Sequence, residues 1–207
     1  MLKKIQDSVA RYYGGKFAAY GPTPKGVDWR NGRSQELRFA QLMKIFEWDR
    51  RFDLNDFGSG YGALYRYLSD RNFDLRYRGV DLSPLIVKGA KCLFGHRRDC
   101  RFVVGDSSSL RKADYTVASG VFNVRLNFSR SIWKIYVLSV LRAMAHASRK
   151  GFAFNLLSNY SDKDKMRKDL YYGDPLFFFD HCKKNFSNKV SLLHDYDLYE
   201  FTILVRN

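Results

Sequence analysis

Apolar positions change period repeatedly along the 207-residue chain, and the changes divide it into alternating helices and strands. Residues 1–33 show little clean periodicity. Within them Tyr20-Gly21-Pro22-Thr23-Pro24-Lys25-Gly26 and Asn31-Gly32 read as turns, because proline fixes φ and glycine accepts positive φ. Ser34 is the expected cap of a helix with Leu37, Leu42, Ile45 and Phe46 on its apolar side. Residues 52–57 predict a strand running into Gly58, and a helix follows with Leu64, Tyr67 and Leu68 inward. A second strand is expected over 77–82. Ser83-Pro84 then starts a helix ending near Gly95, since a missing proline donor costs nothing at the first helical position. Short strands over 101–104 and 115–118 precede a helix over 131–146, whose broad apolar face carries Ile132, Ile135, Val137, Leu138, Leu141 and Met144.

Residues 152–157 are apolar throughout and predict a buried strand. A polar loop or short helix is expected over 158–172, and the last helix over 175–186. The segments 190–196 and 198–206 lie almost back to back around Asp197. So short a join cannot hold a helical crossover, which makes the pair antiparallel. The pattern predicts an α/β fold: a three-layer sandwich around a mostly parallel seven-stranded sheet closed by a C-terminal antiparallel hairpin. No repeat or interdomain linker interrupts it. The expected division is an N-terminal lid or cap segment over 1–33 and one domain over 34–207.

Composition narrows the class. With 45% hydrophobic and 16% aromatic residues the chain can bury a core, which sets aside a disordered or polymeric reading. The 36 Lys+Arg against 21 Asp+Glu leave +15, enough to attract nucleic acid, an anionic membrane surface or small anionic substrates. The cations are dispersed, in knots no longer than Lys3-Lys4, Arg50-Arg51, Arg97-Arg98, Arg149-Lys150 and Lys183-Lys184; spread in this way they more often form a solvated surface. Cys92, Cys100 and Cys182 show no CxxC spacing and read as reduced thiols, which points to the cytoplasm and away from a zinc site. No apolar leader opens the chain, and no window approaches 18 uncharged apolar residues, so no membrane span is expected.

The segment that carries chemistry is Asp56-Phe57-Gly58-Ser59-Gly60-Tyr61-Gly62, at the end of one expected strand and the start of a helix. Glycine lets main chain approach a ligand closely, and a helix start offers unpaired N–H groups. Alone the signal is weak: Gly58, Gly60 and Ala63 also satisfy the dinucleotide fingerprint. Two further carboxylates sharpen it. Asp81 ends the second strand in Gly79-Val80-Asp81-Leu82-Ser83, and Asp106 ends the third in Val103-Val104-Gly105-Asp106-Ser107. In a parallel sheet all strand C-termini share one edge, so the three aspartates line one crevice. Asp81 is placed for ribose hydroxyls and Asp106 for an adenine amino group. The plainer alternative is that each aspartate merely caps a helix or turn.

On these motifs, over roughly residues 35–207, the sequence resembles the class I (Rossmann-like) S-adenosylmethionine-dependent methyltransferases, in flavour the small-molecule type. The resemblance implies that Asp56, Gly58, Ser59, Gly60, Tyr61 and Gly62 touch the methionine end of S-adenosylmethionine. It further implies that Asp81 and Leu82 hold the ribose, and Asp106 and Ser107 the adenine. Ser119, Gly120 and Val121, in Ala118-Ser119-Gly120-Val121-Phe122-Asn123, would face cofactor and acceptor. Signatures of amino-methylating nucleic-acid enzymes, of cytosine-C5 enzymes and of metal-dependent catechol-type enzymes are absent, and no metal is expected.

Tyr12, Tyr13, Tyr20, Trp29, Arg33 and Arg38 combine aromatics and cations ahead of the first core strand. The expectation is that Arg38 or Arg33 pairs with the methionine carboxylate while Tyr20 or Trp29 covers the site. On the acceptor side the candidates are Asn123, Tyr160, Asp162, Tyr172 and His181, and the segment 158–174, which also holds Tyr171, is expected to form one wall of the acceptor pocket. His181, His194 and His146 each have an ordinary structural explanation as well. The functional expectation is a methyltransferase for a small sugar-like or anionic acceptor at oxygen or nitrogen. RNA methylation and cofactor binding without catalysis are the alternatives.

Overall fold

The structure, a computed structural model, describes residues 1–29, 31–46 and 51–207; Arg50 of the Arg50-Arg51 knot lies outside them. Its elements are α1 (Leu2–Tyr20), α2 (Gly32–Met43), β1 (Arg51–Phe57), α3 (Ala63–Ser69), β2 (Asp74–Asp81), α4 (Pro84–Phe94), β3 (Cys100–Val104), β4 (Ala113–Ala118), α5 (Arg130–Ala147), β5 (Ser148–Leu157), α6 (Pro175–Asn185), β6 (Lys189–Leu193) and β7 (Glu200–Arg206). Short 3₁₀ turns fall at Lys25–Val27, Ser107–Ser109 and Lys163–Lys165.

The seven strands form one sheet in the order β3-β2-β1-β4-β5-β7-β6. β1 to β5 pair in parallel, whereas β7 runs antiparallel to both β5 and β6. The order reverses between β1 and β4, which puts the crevice at the carboxyl ends of those two strands. One face packs Phe57, Val80, Phe154 and Phe201 under α5 and α6, with Trp133 fully buried at its centre. The other packs Leu54, Tyr77, Tyr115 and Val117 under α2, α3 and α4. The three layers expected from the sequence are present.

Three local expectations need correction. Residues 1–33 hold a 19-residue helix, whose apolar stripe Ile5, Val9, Tyr13, Phe17 recurs every fourth position; the pair Gly14-Gly15 in its middle hides the pattern. α2 is capped by Asn31, whose Oδ1 accepts from the Ser34 N–H at 2.9 Å, so the helix starts before Ser34. The last two strands do not meet at Asp197. They are shorter than expected and are joined by residues 194–199.

Candidate functional site

The turn after β1 is shaped by glycines with left-handed φ: 74° at Gly58, 55° at Gly60 and 88° at Gly62, which caps α3. A Cβ on Gly58 would lie 2.4 Å from Val121 Cγ2, so the β1 and β4 turns touch through that missing atom. The N–H groups of Gly58 and Ser59 both donate to the Val80 carbonyl, at 2.7 and 3.1 Å. Asp81 completes the link. Its Oδ2 accepts from Gly60 N–H at 3.0 Å and its Oδ1 from Ser83 N–H at 2.9 Å. The carboxylate therefore faces the glycine turn. Burial raises its pKa against the opposing pull of those N–H groups.

Asp56 is buried and accepts a 2.5 Å hydrogen bond from the Tyr77 hydroxyl. Burial outweighs that bond and, with a smaller push from the Asp81 charge, lifts the Asp56 carboxyl to about 7. Asn155 on β5 accepts from Gly120 N–H at 2.7 Å and so fixes the turn after β4.

Together these turns enclose a cleft of about 800 Å³, open solvent at its mouth included. Of the cofactor-site candidates, Asp56, Gly58, Ser59, Gly60, Tyr61, Asp81, Leu82, Ser119, Gly120, Val121 and Trp29 line it. The Ser59 and Ser119 hydroxyls are buried without a hydrogen-bond partner, the Ser59 Oγ standing over Gly79. No Lys, Arg or His is among the described lining residues, and no group of His, Cys, Asp or Glu among the described residues could hold a metal ion.

Asp106 and Ser107 sit beside the cleft. Asp106 opens into an adjoining pocket that shares Ala10 and Leu82 with it. Its carboxylate accepts from Ser108 and from Gln6 of α1, and the Ser108 hydroxyl is the main cause of its lowered pKa. Ser107 only starts the 3₁₀ turn there.

The N-terminal candidates divide. Trp29 packs directly on the Gly120 main chain, where a Cβ would come within 1.9 Å of its ring. Arg38 does not reach the cleft. Its guanidinium makes two bonds to Glu200, at 2.7 and 2.9 Å, and lies 4.0 Å from the Trp29 ring centre. A buried cation this well paired is not available to a substrate carboxylate. Tyr20 is exposed at the end of α1 and covers nothing; Arg33 is likewise outside the lining. Instead α1 supplies Val9, Ala10 and Tyr13 to the cleft, and α2 supplies Gln35 and Phe39. Of these five, sequence reasoning had named only Tyr13, as part of the N-terminal aromatic segment; the four-residue stripe of α1 contained the signal for Val9.

The acceptor-side candidates do not gather at the cleft. Asn123 is a buried brace: its amide donates to Glu200 at 3.1 Å and accepts from Leu157 N–H at 3.1 Å. Tyr160 is exposed, with its ring 5.9 Å from that of His194. Asp162 pairs with Lys165 and with the Tyr199 hydroxyl. The Tyr172 hydroxyl accepts from Arg167 N–H at 2.9 Å. His181 sits far along α6, in a surface pocket with His146, Arg142 and Asn185, because α5 and α6 carry those side chains toward the opposite edge of the sheet. Burial, then Arg142 and Lys134, lowers its pKa. The loops that follow β4 and β5 are cross-linked by Arg125, whose guanidinium donates to the carbonyls of Leu126, Phe128, Lys168 and Leu170.

Strand order, a glycine turn at the switch point and a carboxylate at the end of β2 define a Rossmann-like methyltransferase fold. Solved structures agree. The chain resembles magnesium protoporphyrin IX methyltransferase of Synechocystis PCC 6803, crystallised with bound S-adenosylhomocysteine (SAH), at TM-score 0.61 and 13% identity over 84% of this chain and 82% of that one. It also resembles the [4+2]-cyclase SpnF at TM-score 0.62 and 14% identity, over 93% and 74% of the two chains. No family model matches. In sequence the chain is 49% identical over 164 residues to Rv1506c of Mycobacterium tuberculosis, a protein named as a methyltransferase; the match covers 79% of this chain and 98% of that one. The chain belongs to the methyltransferases.

Proposed function

We propose that this methyltransferase takes its methyl group from S-adenosylmethionine and delivers it directly to a small acceptor entering beside Trp29. The reading is carried by Asp81, a half-buried carboxylate turned toward a main-chain cradle with two unpartnered serine hydroxyls nearby. When bound, S-adenosylmethionine supplies an activated methyl on a sulfonium, so neither metal nor covalent intermediate is required. The chain's own task is to orient and to exclude water. Orientation accounts for roughly 7–11 kcal/mol of barrier in well-aligned systems.

In this scheme the main chain of Gly58–Gly60 receives the amino-acid end, Asp81 takes the ribose hydroxyls, and Asp106 takes the adenine amino group. Asp56, close to neutrality in its free state, ionises beside a cationic ligand. Residues 1–33 act as the lid, through α1 and Trp29. The described lining favours an uncharged acceptor over an anionic one, because it carries Asp56 and Asp81 and no Lys, Arg or His is among its described residues.

Calorimetry with SAH and NAD tests the reading. SAH should bind, and Asp81→Asn should weaken it at least tenfold. Binding of NAD with indifference to SAH would overturn it.

A further inference from the structure

Two neighbouring rows of charge cross the same face of the sheet, and they are built differently. In the first, Arg76 of β2 and Arg149 of β5 meet Asp53 of β1 and Asp114 of β4, with N–O distances between 2.5 and 3.1 Å. Two cations face two anions, and the row is neutral. Two residues along β2, Arg78 stands in register with Arg101 of β3 on one side and with Asn55 of β1 on the other. Asn55 donates to the Arg111 carbonyl at 2.7 Å, which places Arg111 over the third strand of this row. Three arginines therefore lie side by side, with no ion pair or side-chain hydrogen bond to a carboxylate among the described residues.

The arrangement has a cost. Like charges on adjacent strands destabilise a sheet. The Arg78 guanidinium is depressed by burial, then by the charges of Arg111 and Arg101. Its Nη2 reaches only the Ser109 carbonyl, at 3.3 Å, and its Nε is buried with no partner at all. The surface is also left open. The β3–β4 connection contains a single 3₁₀ turn instead of a helix, α4 packs on the opposite face of β2 and β3, and α5 covers β4 and β5. Arg101, Arg111 and Lys112 are exposed as a result.

We propose that Arg78, Arg101 and Arg111 form a binding surface for the phosphodiester backbone of a nucleic acid strand, on the same face of the sheet as Val80 and set back along the strands from the methyltransferase cleft. Guanidinium groups match phosphate oxygens in geometry. Strands about 4.8 Å apart spread the three charges over roughly 10 Å, a spacing that suits a repeating anion better than one carboxylate. The net charge of +15 adds long-range attraction to the same partner. The Arg76 row shows how this sheet neutralises arginine when no ligand is involved.

The test is fluorescence anisotropy with a labelled 20-nucleotide single-stranded RNA, from 50 to 300 mM salt, on the full chain. The triple variant R78Q/R101Q/R111Q should lower the slope of log affinity against log salt by about 2, at roughly 0.7 per contacted phosphate. At 0.1 M salt that corresponds to about a hundredfold loss. A control that removes the same charge from the other face, K88Q/K91Q/R98Q, should leave the slope unchanged. SAH affinity should be the same in both variants, and the arginine triple should melt no lower than the parent, because it relieves repulsion. Equal losses in the two triples would assign binding to bulk charge and overturn the proposal. So would equally tight, equally sensitive binding of polyglutamate.

Discussion

Glu200 ties the wall of the cleft to the sheet, and replacing it with glutamine isolates that role. Glu200→Gln keeps the shape of the side chain and removes its charge. The Arg38 guanidinium, only 9% exposed, is then left without its counter-ion, and the bond from Asn123 is weakened as well. Removing one partner of a buried pair typically costs about 3–5 kcal/mol. For a domain of this size each kcal/mol shifts the melting temperature by about 2–4 °C, so a fall of roughly 6–20 °C is expected. The double variant Arg38→Met/Glu200→Leu should recover most of that loss, since well-packed apolar residues can replace a buried ion pair at little cost. A double-mutant cycle read by calorimetric unfolding at pH 7 measures the coupling. Trp29 should also lose its support in either single variant, weakening SAH binding beyond the stability effect. A fall of less than about 2 °C for Glu200→Gln, or purely additive single costs, would refute the reasoning.

Asp56 predicts a pH dependence. Its folded pKa of about 7 lies above the ordinary 3.8, so the folded state holds a proton that the unfolded chain releases, and stability falls as pH rises between those values. The contribution is about 4 kcal/mol, and urea midpoints at pH 5 and pH 8 should differ less in Asp56→Asn than in the parent. Gly120→Ala places a Cβ against the Trp29 ring and forces a residue at φ 66°. It should expel Trp29, seen as a change in tryptophan emission, and Trp29→Ala should relieve the clash while leaving about 1–2 kcal/mol of backbone strain. Trp133→Ala, which removes a fully buried indole from the core and frees the Phe122 carbonyl from its 2.7 Å bond, should cost about 3–5 kcal/mol in chemical denaturation. An unchanged midpoint there would show that the α5 layer is not packed as described.

Legibility followed the range of the interactions. The glycine turn and Asp81 could be read from sequence because their geometry is set within a strand end and the turn beside it; both stand where expected. The mostly parallel sheet with its antiparallel close followed from alternating periods and one join too short for a crossover; the strand order did not. The fate of Arg38 could not be read. Nothing around it announces Glu200, 162 positions away, and a lone arginine near an expected anion site suggests a substrate contact. Asn123 failed for the same reason: its place after β4 suggested the acceptor, but its amide is used up by β7 and the end of β5. The helix over residues 2–20 was readable and was obscured by two glycines. Tyr20 and His181 were chosen for chemical type, and type alone does not say which end of a helix faces the crevice.

The Arg38–Glu200 bond also sets an order of events during synthesis. Glu200 opens β7, which slots between β5 and β6 and is translated after the other six strands of the sheet. A nascent chain can form the glycine turn, β1 to β5 and most of the helical layers while Arg38 still waits without its carboxylate. The tryptophan wall is therefore fastened late, and a ribosome-bound intermediate holds an open, unfinished crevice until translation has passed β7.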